Sequence, residues 1–376
     1  MLYMLGGAGV GNFGDELMVH KWLEFYRENG IDDSVVVDGA SERILTELFS
    51  GIHRNVHFKN VFNKLKYTGP DDFWKSLRRG LNFYKNGGLR NYPELVRWAD
   101  NIQNIKLMHL HGGGYLNSLW PKSAFLLGIA AATKLEYSCK LVATGIGLLP
   151  LPKVPDEYRA DLERTFNAFD IFEMRDYQSS HFINEAISGR GNVFFGLDDT
   201  FLTPVHSSVG GGKRLHISFF SQAMPKLEQV LSSAPSQFYE QFDEVLFWEC
   251  MKEEDQTCQK MVLKYIQNVK TVPMKKLVLE PLPVQPNDVM LTARFHPHLL
   301  AARAGVVGFY RLDGSYYDVK QGSVVELGSP FKPLEAFQSK DSQYEPGFNR
   351  ILDFDAERVN IKRKLAQQIV KYYANA

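Results

Sequence analysis

The chain has 376 residues, 44% of them hydrophobic and 13% aromatic, and 43 lysines and arginines balance 43 aspartates and glutamates. Such a composition fills interiors and excludes global disorder, and a zero net charge excludes any overall pull toward nucleic acid. The length exceeds the roughly 250–300 residues at which a single core stops growing, so two domains are expected. The three cysteines (Cys139, Cys250, Cys258) are widely spaced and form no metal-ligand pattern, which fits buried thiols in a reducing compartment. The opening MLYMLGG lacks the basic and long apolar segments of a signal peptide. The apolar stretch 124–132 falls short of the ~20 residues of a membrane span and reads as a buried helix. A cytoplasmic protein is expected, its only alternative setting being peripheral contact with the inner face of the membrane.

Along the first half, short apolar runs alternate with amphipathic stretches, the pattern of βα units on a mostly parallel sheet. Strands are predicted at 2–5, 34–37, 106–110, 140–144, 171–174 and 193–195, and helices at 15–29, 41–49, 122–135, 156–169 and 177–186. The segment TPVHSSVGGGK then reads as a linker over 204–213. A second alternation follows, with strands at 215–220, 244–247, 276–280 and 306–310 and helices at 226–239, at 255–268 and after Arg294. The expected fold class is α/β, two Rossmann-like domains facing across a cleft. Their spans are 1–203, as the acceptor side, and 214–354, as the donor side, with 355–376 as a closing helix.

Residues 54–90 break the alternation. Nine lysines and arginines against two aspartates are interleaved there with Phe62, Tyr67, Phe73, Trp74, Phe83 and Tyr84. Two readings stand: a basic, aromatic face for anionic lipid or a phosphorylated acceptor, or an inserted helical hairpin whose aromatics pack inward.

Glycine- and charge-rich turns follow several strands. Gly11-Asn12-Phe13-Gly14-Asp15-Glu16 opens a helix with two carboxylates in its first turn. That arrangement repels pyrophosphate and suits sugar hydroxyls, with Asp15 available as a general base. The competing reading has Asp15 capping its helix. Gly113 and Gly114, after His109 and His111, allow close approach of a ligand, and two histidines without a third ligand do not make a metal site. Gly145-Ile146-Gly147-Leu148-Leu149-Pro150 ends another strand, and Arg175-Asp176 follows the next as either a ligand pair or a cap with an ion pair. Asp198 and Asp199 carry the same ambiguity. The sharpest signal is Arg294-Phe295-His296-Pro297. Pro297 is placed at the first helical position, and Arg294 with His296 just before it couples an anion site to a proton donor.

In this order the turns resemble those of the polysaccharide pyruvyl transferase family: GNxGDE, GGG, GxGxxP, RD with Ser179, RxH, and a closing Tyr317-Asp318-Val319-Lys320. The resemblance implies a GT-B-like pair of domains and transfer of a pyruvyl group from phosphoenolpyruvate to a glycan or lipid-linked sugar, without metal or redox cofactor. It makes Arg294, His296 and Lys320 the donor-binding set, with Arg294, His296 and Asp15 catalytic. Asn12, Asp15, Gly113, Gly114, Arg175 and Asp176 become the acceptor set. Two positions depart from the pattern. Ser218-Phe219-Phe220-Ser221-Gln222 lacks the arginine expected after the first strand of the second domain, and Asn117 stands where an aspartate follows the GGG turn. Arg214 and Arg311 are candidates to compensate. A GT-B glycosyltransferase using a nucleotide sugar and a non-catalytic glycan-binding homologue are the alternatives.

Overall fold

The computed structural model describes residues 1–187, 192–208, 210–234, 236–312, 314–337 and 349–376. The chain divides into two compact units. The first comprises Met1–Val10, Met18–Leu202 and Asn360–Ala376, the second Gly11–Leu17 and Thr203–Val359. The GNxGDE segment therefore counts with the second unit, although the strand before it lies in the first.

The first unit holds β1 (Leu2–Leu5), β2 (Val35–Asp38), β3 (Val56–Lys59), β4 (Leu107–Leu110), β5 (Lys140–Ile146), β6 (Ile171–Met174) and β7 (Val193–Phe195). They form one sheet in the order β3-β2-β1-β4-β5-β6-β7, with every pairing parallel. Every residue of β1, β2, β4 and β6 is buried, including Asp38, His109 and Glu173 among their otherwise apolar residues, as strands covered on both faces must be. The second unit holds β8 (Arg214–Ser218), β9 (Glu244–Glu249), β10 (Val269–Pro273), β11 (Val289–Thr292), β12 (Val307–Tyr310) and β13 (Lys332–Pro333). Their order, β10-β9-β8-β11-β12-β13, is again wholly parallel. In both sheets the strand order reverses beside the first strand, between β1 and β4 and between β8 and β11. Ligands of open parallel sheets bind outside the carboxyl ends at that reversal.

Two expectations are corrected, and of the two readings of 54–90 the inward-packed one holds. The strand predicted at 276–280 is part of the helix Met274–Leu279, which buries Leu277 and Val278 on one face. The strands around it are β10 and β11, whose short apolar runs cannot be told from helix by periodicity alone. Pro297 is the third residue of the helix Phe295–Arg303, with Arg294 as its N-cap, so His296 lies inside the first turn. Residues 54–90 contain β3 and the helices Phe62–Lys66 and Phe73–Leu81, and Phe62, Phe73, Trp74 and Phe83 join the core of the first unit. Their bases are engaged as well: Arg78 pairs with Asp161, and Arg79 lies over the Phe125 ring at 4.6 Å. The rings that a membrane surface would use are thus mostly inside, Tyr67 being the exposed exception. Among the described residues no helix is long and apolar enough to cross a membrane.

The three cysteines are buried and unpaired, and burial pushes the Cys139 thiol to about 11 and those of Cys250 and Cys258 to about 12. Thiols at those values are not nucleophiles near neutrality.

His298 shows how buried polar groups tune stability. Fully buried, it bonds Gln321 Oε1 at 2.6 Å and Ser329 Oγ at 2.7 Å. Burial lowers its pKa to about 4, against partial opposition from Gln321. The folded state thus binds the proton less well than the unfolded chain, whose histidine titrates near 6.5. Stability from this group is complete above pH 6.5 and is lost as pH falls toward 4, on the order of 3 kcal/mol in all. Denaturant unfolding at pH 7.5 and 4.5 should show that loss. His298→Gln should flatten it, and an unchanged slope would contradict the assignment.

Candidate active site

In the second unit, the predicted donor residues Arg294 and His296 follow the carboxyl end of β11, and Lys320 lies in the helix Ser315–Glu326 after β12. Gly11–Leu17 belongs to this same unit, tied by Phe13 N–H donating to Cys250 O at 2.8 Å and by Phe13 packing edge-on to Trp248. Asn12 caps the helix Phe13–Glu28, its Oδ1 accepting from Gly14 N–H at 3.1 Å. Glu16 reaches back to Gly11 N–H at 3.0 Å. These two satisfy helix-end donors that Asp15 was a candidate to serve. Asp15 itself is half-buried and makes no hydrogen bond or ion pair among the described residues.

Gly14 touches the other motif. A Cβ built at Gly14 would lie 1.8 Å from His296 Nδ1, so only glycine lets the half-buried imidazole lie against this turn. The GNxGDE segment and the RxH segment, about 280 residues apart in sequence, are thereby neighbours.

Arg294 is held from one side. Its NH2 group pairs with Asp255 Oδ1 and, at 3.2 Å, with Glu254 Oε2, while its guanidinium lies 5.2 Å from the Phe220 ring centroid. Burial works against the charge, but Asp255 outweighs it and the guanidinium pKa is raised. Its Nε is a buried donor without a partner among the described residues. Such a group costs about 1–3 kcal/mol unless something accepts from it. Phe220 stacks on Tyr317 at 5.2 Å, Tyr317 adjoins Tyr316, and Lys320 bonds the Tyr316 hydroxyl and lies 3.8 Å from that ring centroid. Arg294 and Lys320 are thus joined through a row of aromatic rings.

The two compensating candidates separate clearly. Arg214 opens β8 at the amino end of the sheet, where it pairs with Asp288 at 3.0 Å beside His216. Arg311 follows β12 at the carboxyl end and donates to Gln222 O at 3.1 Å, in the segment that lacks the expected arginine. Sequence reasoning missed Glu254 and Asp255 as partners of Arg294. The signal was three acids, Glu253 to Asp255, in the first turn of the helix Lys252–Tyr265.

Of the residues predicted to bind the acceptor, Gly113 and Gly114 follow β4 and Arg175 and Asp176 follow β6 in the first unit. Gly112 N–H donates to Asp199 Oδ2 at 2.8 Å, and Gly113 pairs with the GxGxxP turn through Gly145 O and Gly147 N–H. Gly145 has φ +58°, and a Cβ there would fall 2.9 Å from Asp199 N. Beneath the turns runs a buried chain: Tyr26 to His109 at 2.8 Å, His109 to Thr144 at 2.8 Å, Thr144 to Asp199 at 3.0 Å. Burial lowers the His109 pKa to about 3, so the ring is neutral. Arg175 and Asp176 are each 5% exposed. Arg175 pairs with Asp198 at 3.1 Å, and Asp176 caps the helix Tyr177–Ala186 by accepting from Ser179 N–H at 2.7 Å. Asn117 is fully buried, donating to Gly114 O at 2.7 Å and accepting from Leu119 N–H at 2.8 Å. An aspartate there would set a carboxylate oxygen against the Gly114 carbonyl, which accounts for the amide in this loop.

Two wholly parallel sheets, each reversing beside its first strand and each bearing glycine or charged turns at its carboxyl ends, define a protein of the GT-B class of paired Rossmann-like units. The profile of the polysaccharide pyruvyl transferase family matches residues 12–281, and the chain belongs to that family. No curated protein matches the chain. Among solved structures, a UDP-N-acetylglucosamine 2-epimerase is similar at a TM-score of 0.58 and 11% identity, covering 100% of this chain and 96% of that one. The Rickettsia bellii enzyme of the same name gives 0.54 and 11%, over 100% and 96%. The UDP-GlcNAc 2-epimerase of Methanocaldococcus jannaschii gives 0.53 and 10%, over 97% and 99%. At such identities the likeness is one of fold.

Proposed function

We propose that the chain transfers a pyruvyl group from phosphoenolpyruvate to two hydroxyls of a glycan sugar, closing a ketal and releasing phosphate. His296 protonates the methylene carbon, leaving an oxocarbenium-like centre. One sugar hydroxyl attacks that centre and gives its proton to Asp15. Phosphate then leaves by C–O cleavage and carries away the proton of the second hydroxyl as it closes the ring. Charge develops beside Arg294, whose fixed position needs no reorganisation as the phosphate departs. Arg311 and Lys320 complete the donor's anionic contacts, Arg311 in place of the arginine absent from Ser221–Gln222. Asn12, Gly113 and Gly114 serve the acceptor, and Arg175 and Asp176 support it by holding their turn rather than by touching sugar.

The observation that carries this reading is the Nε of Arg294, without a partner among the described residues, at the carboxyl end of β11 and two residues before His296 in a member of this family. A phosphorus NMR titration of phosphoenolpyruvate without acceptor tests it. Binding should weaken about tenfold or more in Arg294→Met and in Arg311→Met, as expected for a lost charge-assisted bond. A protein that ignores phosphoenolpyruvate but binds a nucleoside diphosphate would instead be a glycosyltransferase. Binding of a glycan with no turnover of either donor would make it a non-catalytic homologue.

A further inference from the structure

The carboxyl edge of the first sheet carries exposed aromatic side chains. Trp120 is 47% exposed and Leu119 53%, on the loop that follows the GGG turn. This loop is fixed: Asn117 bridges Gly114 O and Leu119 N–H, and Ser118 donates twice to Pro150 O, at 3.0 and 2.8 Å. Three strands along the edge stands a second group. Tyr177, the first helical residue after β6, is 56% exposed and stacks on His181 at 5.8 Å with an 8° interplanar angle. Phe195, the last residue of β7, meets Tyr177 edge-on at 6.2 Å and is 46% exposed.

We infer that these two groups are platforms for successive rings of an extended oligosaccharide acceptor, an inference that rests on the glycan-acceptor reading above. The chemistry is specific. A pyranose ring presents an apolar C–H face and a rim of hydroxyls, and it stacks on a flat indole or phenol ring whose polar edge stays wet. Platforms held on hydrogen-bonded turns lose little freedom on binding. Ser118 ties the Trp120 loop to Pro150, beyond β5, and Phe195 ends β7 two strands on, which at about 4.8 Å per strand is a span that one sugar ring does not cover. The residue that the Arg175-Asp176 turn offers to a ligand is accordingly Tyr177, since the pair itself is buried.

The test is calorimetry and tryptophan fluorescence with neutral oligosaccharides of one, two and four rings from the glucose, galactose and mannose series. Trp22, Trp74 and Trp248 are buried and Trp98 is half-buried, so the part of any quenching that disappears in Trp120→Ala is the part that reports on Trp120. In at least one series the tetrasaccharide should bind about tenfold more tightly than its monosaccharide. Trp120→Ala and the double variant Tyr177→Ala/Phe195→Ala should each erase that gain and leave phosphoenolpyruvate binding unchanged. Leu119→Ser, a milder surface change, should reduce it. The proposal is overturned if no series gains with length, or if the gain survives in both alanine variants. It is equally overturned if those variants only convert a dimer to a monomer in sedimentation, since the patches would then join two copies of the chain. Should phosphoenolpyruvate fail to bind while the length gain still depends on both platforms, the pyruvyl-transfer reading falls and the platforms stand.

Discussion

His296→Ala should lower kcat by about 10²–10⁴-fold, the range for loss of a positioned general acid, while phosphoenolpyruvate binding changes little. Deleting the ring does not distinguish its chemistry from its place, and Gly14→Ala does. The new methyl would fall 1.8 Å from His296 Nδ1, so the imidazole must move while remaining in the protein. A loss of kcat in Gly14→Ala approaching that of His296→Ala, with donor binding intact by phosphorus NMR, would show that the glycine holds the imidazole in its working position. Wild-type turnover in both variants would remove His296 from the chemistry. Asp15→Asn should slow turnover comparably and leave the helix start intact, because Asn12 and Glu16 provide the end contacts there.

Lys362→Met should destabilise the first unit by about 3–5 kcal/mol, the cost of leaving buried carboxylates without their cation. Lys362 lies on the helix Asp355–Ala374, is fully buried, and pairs with Asp199 at 2.7 Å and with Glu173, while donating to Leu197 O at 2.9 Å. Burial pushes Asp199 up, but Lys362 outweighs it and leaves its pKa below the usual value. For Glu173 burial prevails over Lys362, and its pKa is raised. Asp199 holds Gly112 N–H and Glu173 holds Gly145 N–H, so one lysine underlies both glycine turns. Without it both carboxyl pKa values rise in the folded state. The variant should therefore regain stability as pH falls through those raised values and lose it as pH rises. Thermal unfolding between pH 5 and 8 checks this, and hydrogen exchange should quicken in peptides covering 111–114 and 144–147 while the second unit stays protected. Exchange equal to that of the parent at both turns would refute the role.

The two parts of the active-site reading were not equally legible. Predominantly apolar runs such as Leu2–Leu5 announced buried parallel strands, because a strand covered on both faces has no solvent-facing polar side to show. The order of six short motifs pointed to the family; five of them end or follow a strand, where a parallel sheet presents its ligands, and the sixth, at 317–320, lies in the helix Ser315–Glu326. The apolar stretch at Lys276–Glu280 reads as a strand in sequence and β11 goes unmarked, because a run of four or five residues satisfies a helix face and a strand equally.

By itself the sequence determined the alternation, the turns at the strand ends, and the candidate residues, all of which are local properties of composition and spacing. Tertiary structure alone decided what those residues touch. Asn12 rather than Asp15 caps the first helix, Arg294 is held by Asp255 with its Nε left over, and Arg175 with Asp176 is spent inside the fold. Likewise Lys362, near the chain end, closes a network built on Glu173 and Asp199. Hydrogen bonds and ion pairs join residues by distance in space, and residues as far apart as Gly14 and His296 carry no mark of their contact until the chain has folded.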